Sequence, residues 1–534
     1  MSVTSTTFTR LWSSGGWANP LASQILALSS SEIALLDRNS EYLGVSTLQL
    51  MENAGRSVAD EIAGRFGRGT SVTIYGGTGR NGGDGMVAAR HLAARGFKVL
   101  FRLIGNERSI RDQSALSNWL TLKTMSSSVK IESYLDSSSI PTSESDVLVD
   151  AILGTGVQGK LRQPYLRAVE VINSSAGFKI AVDVPTGINS DTGEVLGEAV
   201  RANLTVTLHA TKIGFNKATQ HCGEIRVYDI GIPPEAALYA GPGDVEMTST
   251  GRPTESHKGM FGRLLVIGGS EMFSGAPALV ALAAYRTGTD LVSVAAPEGA
   301  ADSIATFSPS IITINLPGNN LSSKHIRLLN SHINKASAIA IGPGLGLDKE
   351  TRVATCKLIE LGNRLKKPML VDADALKALG AIRKKISNGF TVITPHAREF
   401  ETVSGISPSR DLKKRIEQVR DFAFKSGLIV LLKGHVDVVS DGIALKLNNT
   451  GNPGMTVGGT GDILSGIIAG LMAQGVDAYR AAVAGAFVNG ASGDLAAEKY
   501  GFHLIPTDLL EHIPTILSEP MRHKSIFDQR KIQS

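Results

Sequence analysis

The chain has 534 residues, 42% hydrophobic and 19% charged, with 54 basic against 49 acidic side chains and a net charge of +5. At about 150 residues per domain this predicts roughly three domains or two large ones, and excludes a single small binding module. The ordinary composition excludes a wholly disordered chain, and the scattered charge with only 5% aromatics excludes a nucleic-acid binder built on basic patches and base stacking. Glycine is raised, at 58 residues, while proline is not, at 20, so the places where glycine clusters carry information. The mild positive balance suits anionic small molecules. Two distant cysteines, Cys222 and Cys356, predict a reducing compartment and a cytoplasmic protein. No apolar run approaches the ~18 residues of a membrane helix. Residues 1–26 hold one arginine, Arg10, and no signal-peptide core; they are expected to be a mobile N-terminal extension.

In chain order, short apolar runs alternate with amphipathic stretches. Val72–Tyr75, Lys98–Leu103, Asp146–Val149, Lys179–Val182, Leu204–Leu208 and Ile225–Tyr228 predict strands, and Leu48–Arg65 and Met86–Arg95 predict helices. That alternation predicts a parallel sheet covered on both faces. Residues 239–254, with Gly241-Pro242-Gly243 and Pro253, read as a linker. Strands resume at Arg263–Ile267, Leu291–Ala295, Ile311–Leu316, Ala338–Ile341, Met369–Val371, Thr391–Ile393 and Leu428–Leu432. Two long apolar helices follow, near Gly461–Gln474 and Ala478–Lys499. The expected organisation is therefore an α/β domain over 27–238, a linker over 239–254, a second and different α/β domain over 255–520, and a tail over 521–534.

Ligands of open α/β sheets bind at the carboxyl ends of strands. After the first strand stands Gly76-Gly-Thr-Gly-Arg-Asn-Gly-Gly-Asp-Gly85, glycine-rich and leading to a helix, which predicts a phosphate-bearing ligand. Its GxGxxG spacing is a weak dinucleotide signal, because the ribose-binding acid expected after the second strand comes only at Glu107. Asp150 precedes the turn Gly154–Gly159, and Asp183 opens Asp183-Val-Pro-Thr-Gly187. Each aspartate alone reads equally as a cap. Three such strand ends in one sheet point to a pocket. Asn81, Asp150 and Thr186 offer oxygens suited to a hard cation. His91 is expected to be solvated surface.

The motifs Leu50-Met-Glu-Asn-Ala-Gly55, Asn81–Gly85, Asp150-Ala-Ile-Leu-Gly-Thr-Gly156 and Asp183–Gly187 together resemble the YjeF N-terminal domain, the NAD(P)H-hydrate epimerase family, over about residues 27–234. The resemblance implies a Rossmann-like fold and interconversion of the R and S hydrates of NADH and NADPH. It implies substrate contacts from Asn81, Gly82, Gly83 and Asp84, from Gly154, Thr155, Gly156, Val157, Gln158, Gly159 and Lys160, and from Asp183. It also implies a K+ ion held by Asn81, Asp150 and Thr186. Asp183 is then the acid/base group at C6. Arg80 stands where the family usually has Asn.

In the second half, glycine and polar residues again follow the strands: Gly268-Gly-Ser270, Gly342-Pro-Gly-Leu-Gly346, Thr394-Pro-His396 and Lys433-Gly-His435. Gly458-Gly-Thr-Gly-Asp462 opens an apolar helix, where bare N–H groups form an anion hole. An aspartate beside that hole can take a proton from an attacking hydroxyl. No GxxxxGK[ST] is present, which excludes a P-loop. Asp372 and Asp374 fit either Mg2+ or turns; His396 fits a substrate contact or a helix start.

These motifs, with His257-Lys-Gly259 and Phe261-Gly-Arg263, resemble the YjeF C-terminal domain, the ADP- or ATP-dependent NAD(P)H-hydrate dehydratase with a ribokinase-like fold. The resemblance implies hydrate contacts from Ala276, Gly344, His396 and Asp462. It implies nucleotide contacts from Lys433, Gly434, His435, Val436, Asp437 and Gly461, with Mg2+ accompanying the nucleotide. Asp462 activates the C6 hydroxyl for phosphorylation, and phosphate loss then restores the ring double bond. Val457 departs from the family's usual Ala-Thr-Gly-Gly. The fused arrangement resembles prokaryotic forms, for which ADP is expected. The expectation is a bifunctional repair enzyme acting on small molecules, with no nucleic-acid or membrane partner, and forming a homo-oligomer. The alternative is a ribokinase-like small-molecule kinase with an accessory nucleotide-binding domain.

Overall fold

The computed structural model describes residues 27–137, 140–157, 159–382 and 388–533. The extension 1–26 and Gln158 lie outside the described residues. The chain divides into two units between Pro234 and Glu235.

The first unit contains β1 (Ala27–Leu28), β2 (Ser71–Gly76), β3 (Lys98–Ile104), β4 (Val129–Tyr134), β5 (Val147–Ala151), β6 (Phe178–Val182), β7 (Leu204–Leu208), β8 (Thr211–Lys212) and β9 (Glu224–Tyr228). Seven of them form a parallel sheet in the order β4-β3-β2-β5-β6-β7-β9, and β1 pairs with β8. The central strands are buried on both faces, hence their unbroken apolar runs. Ser46 caps the helix Thr47–Arg65 through a reciprocal bond with Gln49. That helix seats Val58 and Ile62 against Val87, Ile74 and Val149, all fully buried. Burial of each such side chain contributes roughly 1.5–3 kcal/mol. The chain winds outward from β2 to β4, then returns to place β5 on the other side of β2. The crevice of this sheet therefore lies at the ends of β2 and β5.

The second unit contains β10 (Arg263–Ile267), β11 (Leu291–Pro297), β12 (Ile312–Leu316), β13 (Ala338–Ile341), β14 (Met369–Val371), β15 (Thr391–Ile393), β16 (Ile429–Leu432), β17 (Asp437–Ser440) and β18 (Leu445–Asn448). Its sheet runs β12-β11-β10-β13-β14-β15-β16-β17-β18, parallel up to β16 and antiparallel over the last two pairings. The apolar helix Thr460–Ala473 lies close against Gly275–Arg286. A Cβ at Gly466 would come 2.4 Å from the Val280 carbonyl oxygen, so glycine sets the approach of these helices. No described helix is long and apolar enough to cross a membrane.

Three stretches differ from their sequence-based expectation. The helix expected from Met86 begins at Arg80, so Asn81–Gly85 is the first part of a helix and not a free loop. Residues 239–254 are not a bare linker. Pro242–Glu246 is helical, and the buried Asp244 pairs with Lys446 of β18 at 3.0 Å. The expected tail over 521–534 holds the helix Lys524–Gln533, and the preceding His523 is buried against Asp494.

Candidate active sites

In the first unit, β2, β5 and β6 bring Asn81, Asp150, Thr186 and Asp183 to one sheet crest. Gly77 donates its N–H to the Ala151 carbonyl at 3.0 Å, joining the loops after β2 and β5. A Cβ at Gly82 would sit 1.9 Å from the Gly77 oxygen, so only glycine lets the helix start pack this near. Gly154 lies beside the Asn81 side chain, which is buried and whose Nδ2 has no hydrogen-bond partner. The Asp150 carboxylate accepts the Thr186 N–H and the Thr186 hydroxyl, each at 2.7 Å, and burial pushes it up to about 6. The Thr155 carbonyl accepts from Ser190 Oγ at 3.2 Å. Val157 is half-buried, and Gly156, Gly159 and Lys160 are exposed.

Asp183 follows β6 with φ of 65°, a left-handed conformation that is uncommon for a residue with a side chain and that aspartate tolerates better than most. Its Oδ1 accepts the Leu208 N–H at 3.1 Å and lies 2.6 Å from Nζ of Lys212. Lys212 is wholly enclosed and also donates to Thr207 Oγ1 and to the carbonyls of Leu208 and Ala210. The described bonds of this carboxylate all fall on Oδ1, which leaves Oδ2 to meet a ligand. Asp84 is buried and held well above the usual carboxylate range, by burial first and then by the charges of Asp183 and Asp37. Burial raises Asp37 to about 6 against the pull of Arg80, which lies 3.8 Å away and also bonds Asp112 at 2.9 Å. Lys212 and Asp37 were missed by the sequence reading. Lys212 sits in a strand of two residues, and Asp37 occupies an unremarked turn of the helix Ser30–Leu43. His91 is not bare surface, since its Nε2 meets Glu52 at 2.8 Å.

In the second unit the ends of β10, β13, β14, β15 and β16 form a continuous crest. Gly269 donates to the Pro343 carbonyl, Asp372 to that of Ile341, and Lys433 to that of Pro395. Gly344 has φ of 65° and faces Phe273. Ala276 lies in the first turn of Gly275–Arg286. The helix Thr460–Ala473 starts over this crest with Gly459 at φ of 108° as its cap. Gly461 and Asp462 occupy its first turn, and Lys433 Nζ reaches within 3.5 Å of where a Gly461 Cβ would stand. Burial pushes Asp462 up to about 7, with the Asp372 charge adding and Lys433 opposing. Lys433 bonds Asp372 at 3.3 Å; burial disfavours its ammonium, but Asp372 and Glu399 carry it above its ordinary value. Asp372 also takes the Ser465 hydroxyl at 2.6 Å.

His396 caps the helix Ala397–Ser404. Its Nδ1 accepts the N–H groups of Arg398 and Glu399, which places the ring proton on Nε2. The Asp437 carboxylate accepts the Gly434 N–H at 2.9 Å and the Asn448 amide at 3.0 Å, thereby shaping the turn after β16. Within that turn His435 is exposed and Val436 half-buried. Asp374 is engaged by the Gly346 N–H at 2.9 Å, as a turn former would be. Ser270 and Thr394, at the ends of β10 and β15, have buried hydroxyls without partners.

Known proteins match this sequence along nearly the whole chain. A family model described as YjeF-related protein N-terminus matches residues 47–214, and one described as NAD(P)H-hydrate dehydratase matches 264–515. The bifunctional NAD(P)H-hydrate repair enzyme Nnr of Hyperthermus butylicus is 44% identical over 93% of this chain and 93% of its own length. The chain belongs to the family of bifunctional NAD(P)H-hydrate repair enzymes. The relative of the same description from Pyrobaculum aerophilum is 45% identical over 92% of this chain and 98% of its own. Among solved structures, a ribokinase-like superfamily protein from Enterococcus faecalis is 25% identical, with TM-score 0.47, covering 53% of this chain and 95% of that one. The ADP/ATP-dependent NAD(P)H-hydrate dehydratase of Bacillus subtilis, co-crystallised with ATP and Mg2+, is 25% identical, with TM-score 0.45, over 53% of this chain and 99% of that one.

Proposed function

We propose that this chain repairs hydrated NADH and NADPH, with epimerisation in the first unit and nucleotide-driven dehydration in the second. Family membership over both units carries the general reading. The observation that carries the dehydration site is the near-neutral Asp462 carboxyl in the first turn of a glycine-opened helix, beside the Lys433 ammonium. In the first unit Asp183 moves a proton as the C6 hydroxyl leaves or returns, through Oδ2, while Lys212 holds Oδ1. The substrate meets Asn81–Asp84, Gly154–Lys160 and Asp183. In the second unit Asp462 takes the proton of the C6 hydroxyl as that oxygen attacks the terminal phosphoryl group, and the helix start and Lys433 stabilise the charge on the phosphate. The phosphate then leaves with the C6 oxygen as a C5 proton departs, which forms the ring double bond. Ala276, Gly344 and the Nε2–H of His396 line the hydrate's side, and Lys433–Asp437 with Gly461 the nucleotide's.

The residues proposed for K+ fit a hard cation. They bring amide, carboxylate and hydroxyl oxygens to one place, the donor set such an ion takes, while the unpartnered Asn81 Nδ2 is an N–H donor and faces a ligand acceptor instead. Bound there, the ion supplies a fixed positive charge near the substrate. In this reading Mg2+ accompanies the nucleotide phosphates. The reading also places the protein in the cytoplasm, consistent with two cysteines that form no disulfide, and as a homo-oligomer with ADP as the preferred phosphoryl donor. The test is incubation with mixed R and S hydrates, with ADP or ATP supplied separately. Full recovery of absorbance at the reduced-nicotinamide band, with one phosphate released per turnover, is expected. A phosphorylated product that accumulates without that recovery sinks the reading.

A further inference from the structure

The C-terminal segment lies beyond the region matched by the dehydratase family model, which ends at residue 515. Asp494, on the helix Ala478–Tyr500, has a fully buried carboxylate. Burial opposes its charge, but hydrogen bonds from His523 and Arg530 hold it below the usual carboxylate range. His523 Nε2 donates at 2.9 Å, and Arg530 closes the pair from the terminal helix. The same carboxylate accepts the Gly451 N–H and the Asn452 amide, each at 2.9 Å, while Arg530 donates to the Gly451 carbonyl at 3.0 Å. Both backbone groups of Gly451, a residue at φ of 103°, are thus held by one ion pair. The chain of bonds continues. Asn452 Oδ1 takes the Gly454 N–H at 3.0 Å, and the Thr460 hydroxyl donates to the Met455 carbonyl at 2.8 Å. Thr460 begins the helix that carries Gly461 and Asp462.

We propose that the segment 520–533 is a positioning element for the phosphate loop of the second unit, with Arg530 and Asp494 fixing Gly451 and, through it, the run to Asp462. The proposal rests on the dehydratase reading of that loop. An ion pair whose arginine is more than a third exposed adds little stability by itself. One that holds both backbone groups of a glycine in a functional loop is better explained by placement. Arg530 suits the task because its planar fork serves a carboxylate and a carbonyl together, which a lysine ammonium does poorly.

The test uses the full chain carrying Arg530→Met, Arg530→Lys or Asn452→Ala. Nucleotide KM, hydrate KM, kcat and R-hydrate epimerisation are measured on each. Arg530→Met is expected to raise nucleotide KM about tenfold, since small displacements of a positioned group carry penalties of this size. Epimerisation, which reads the first unit alone, stays as in the parent, and a retained cooperative melting transition of the second unit reports that this unit has folded. Arg530→Lys restores part of the loss, and Asn452→Ala, which cuts the next link, shifts the same constant. A lowered melting temperature with unchanged nucleotide KM in Arg530→Met overturns the proposal, as does an unshifted nucleotide KM in Asn452→Ala. A parent chain with no nucleotide-dependent dehydration overturns the underlying reading instead.

Discussion

Asp462 and Asp183 are both strand-end or helix-start aspartates, yet their surroundings give them different chemistry. Burial and the Asp372 charge raise Asp462 to about 7. A base must be unprotonated, so dehydration falls as pH drops through about 7 and levels off above it. Rates of S-hydrate dehydration between pH 5.5 and 8.5 check this, and a flat profile speaks against Asp462 as the base. Asp183 instead leans on Lys212, enclosed and bonded to four partners. Removing one member of such a buried pair strands the other, at about 3–5 kcal/mol. Lys212→Met is therefore expected to lower the unfolding temperature of the first unit and to slow epimerisation, with S-hydrate dehydration kept. Calorimetry and separate assays read both. The aspartates were legible from sequence because each stands in a glycine-bearing motif at a strand end. Lys212 was not, because its role comes from a partner 29 positions away and its own neighbours carry no motif.

At the level of elements, the strands with unbroken apolar runs were all foreseeable, from β2 to β16, because burial on both faces leaves a plain signal. The edges were not. β4 reads Val129-Lys-Ile-Glu-Ser-Tyr134, an alternating half-exposed strand without an apolar run. β17 and β18 have four residues each, joined through residues 441–444, and the former begins in the turn assigned to nucleotide contacts. The helix from Arg80 was placed too late because its first turn is rich in glycine, a poor helix former. Those glycines serve contact instead. Gly82 abuts the Gly77 carbonyl, and Gly85 abuts Ala151. Gly82→Ala forces the helix start away from the loop, an overpacking penalty of about 1–3 kcal/mol. The expected outcome is a large loss of epimerisation with dehydration intact, and unchanged epimerisation would show that this close approach is not needed.

Across the whole molecule, the described cores stay within single units: Val58, Ile74, Phe101 and Val149 in one, and Leu265, Ile341, Val371 and Leu432 in the other. Two chemistries in one chain make sense, because a chiral dehydration site accepts one epimer and the other must be returned to it. We propose that a chain starting at Glu235 folds alone. It is expected to dehydrate the S hydrate at the parent rate and to leave R-hydrate turnover at its spontaneous rate. An insoluble or inactive fragment would show that the units depend on each other.

The buried Asp244–Lys446 pair bears on where a protease can enter. Cleavage needs a stretch of chain that can be drawn out into an enzyme's groove. Residues 242–246 are helical and tied down through Asp244, whereas residues 249–255 are exposed and without helix or strand. Limited proteolysis near this part of the chain is therefore expected to nick after Thr248 and to leave the preceding segment attached to the C-terminal product until the nicked chain is denatured.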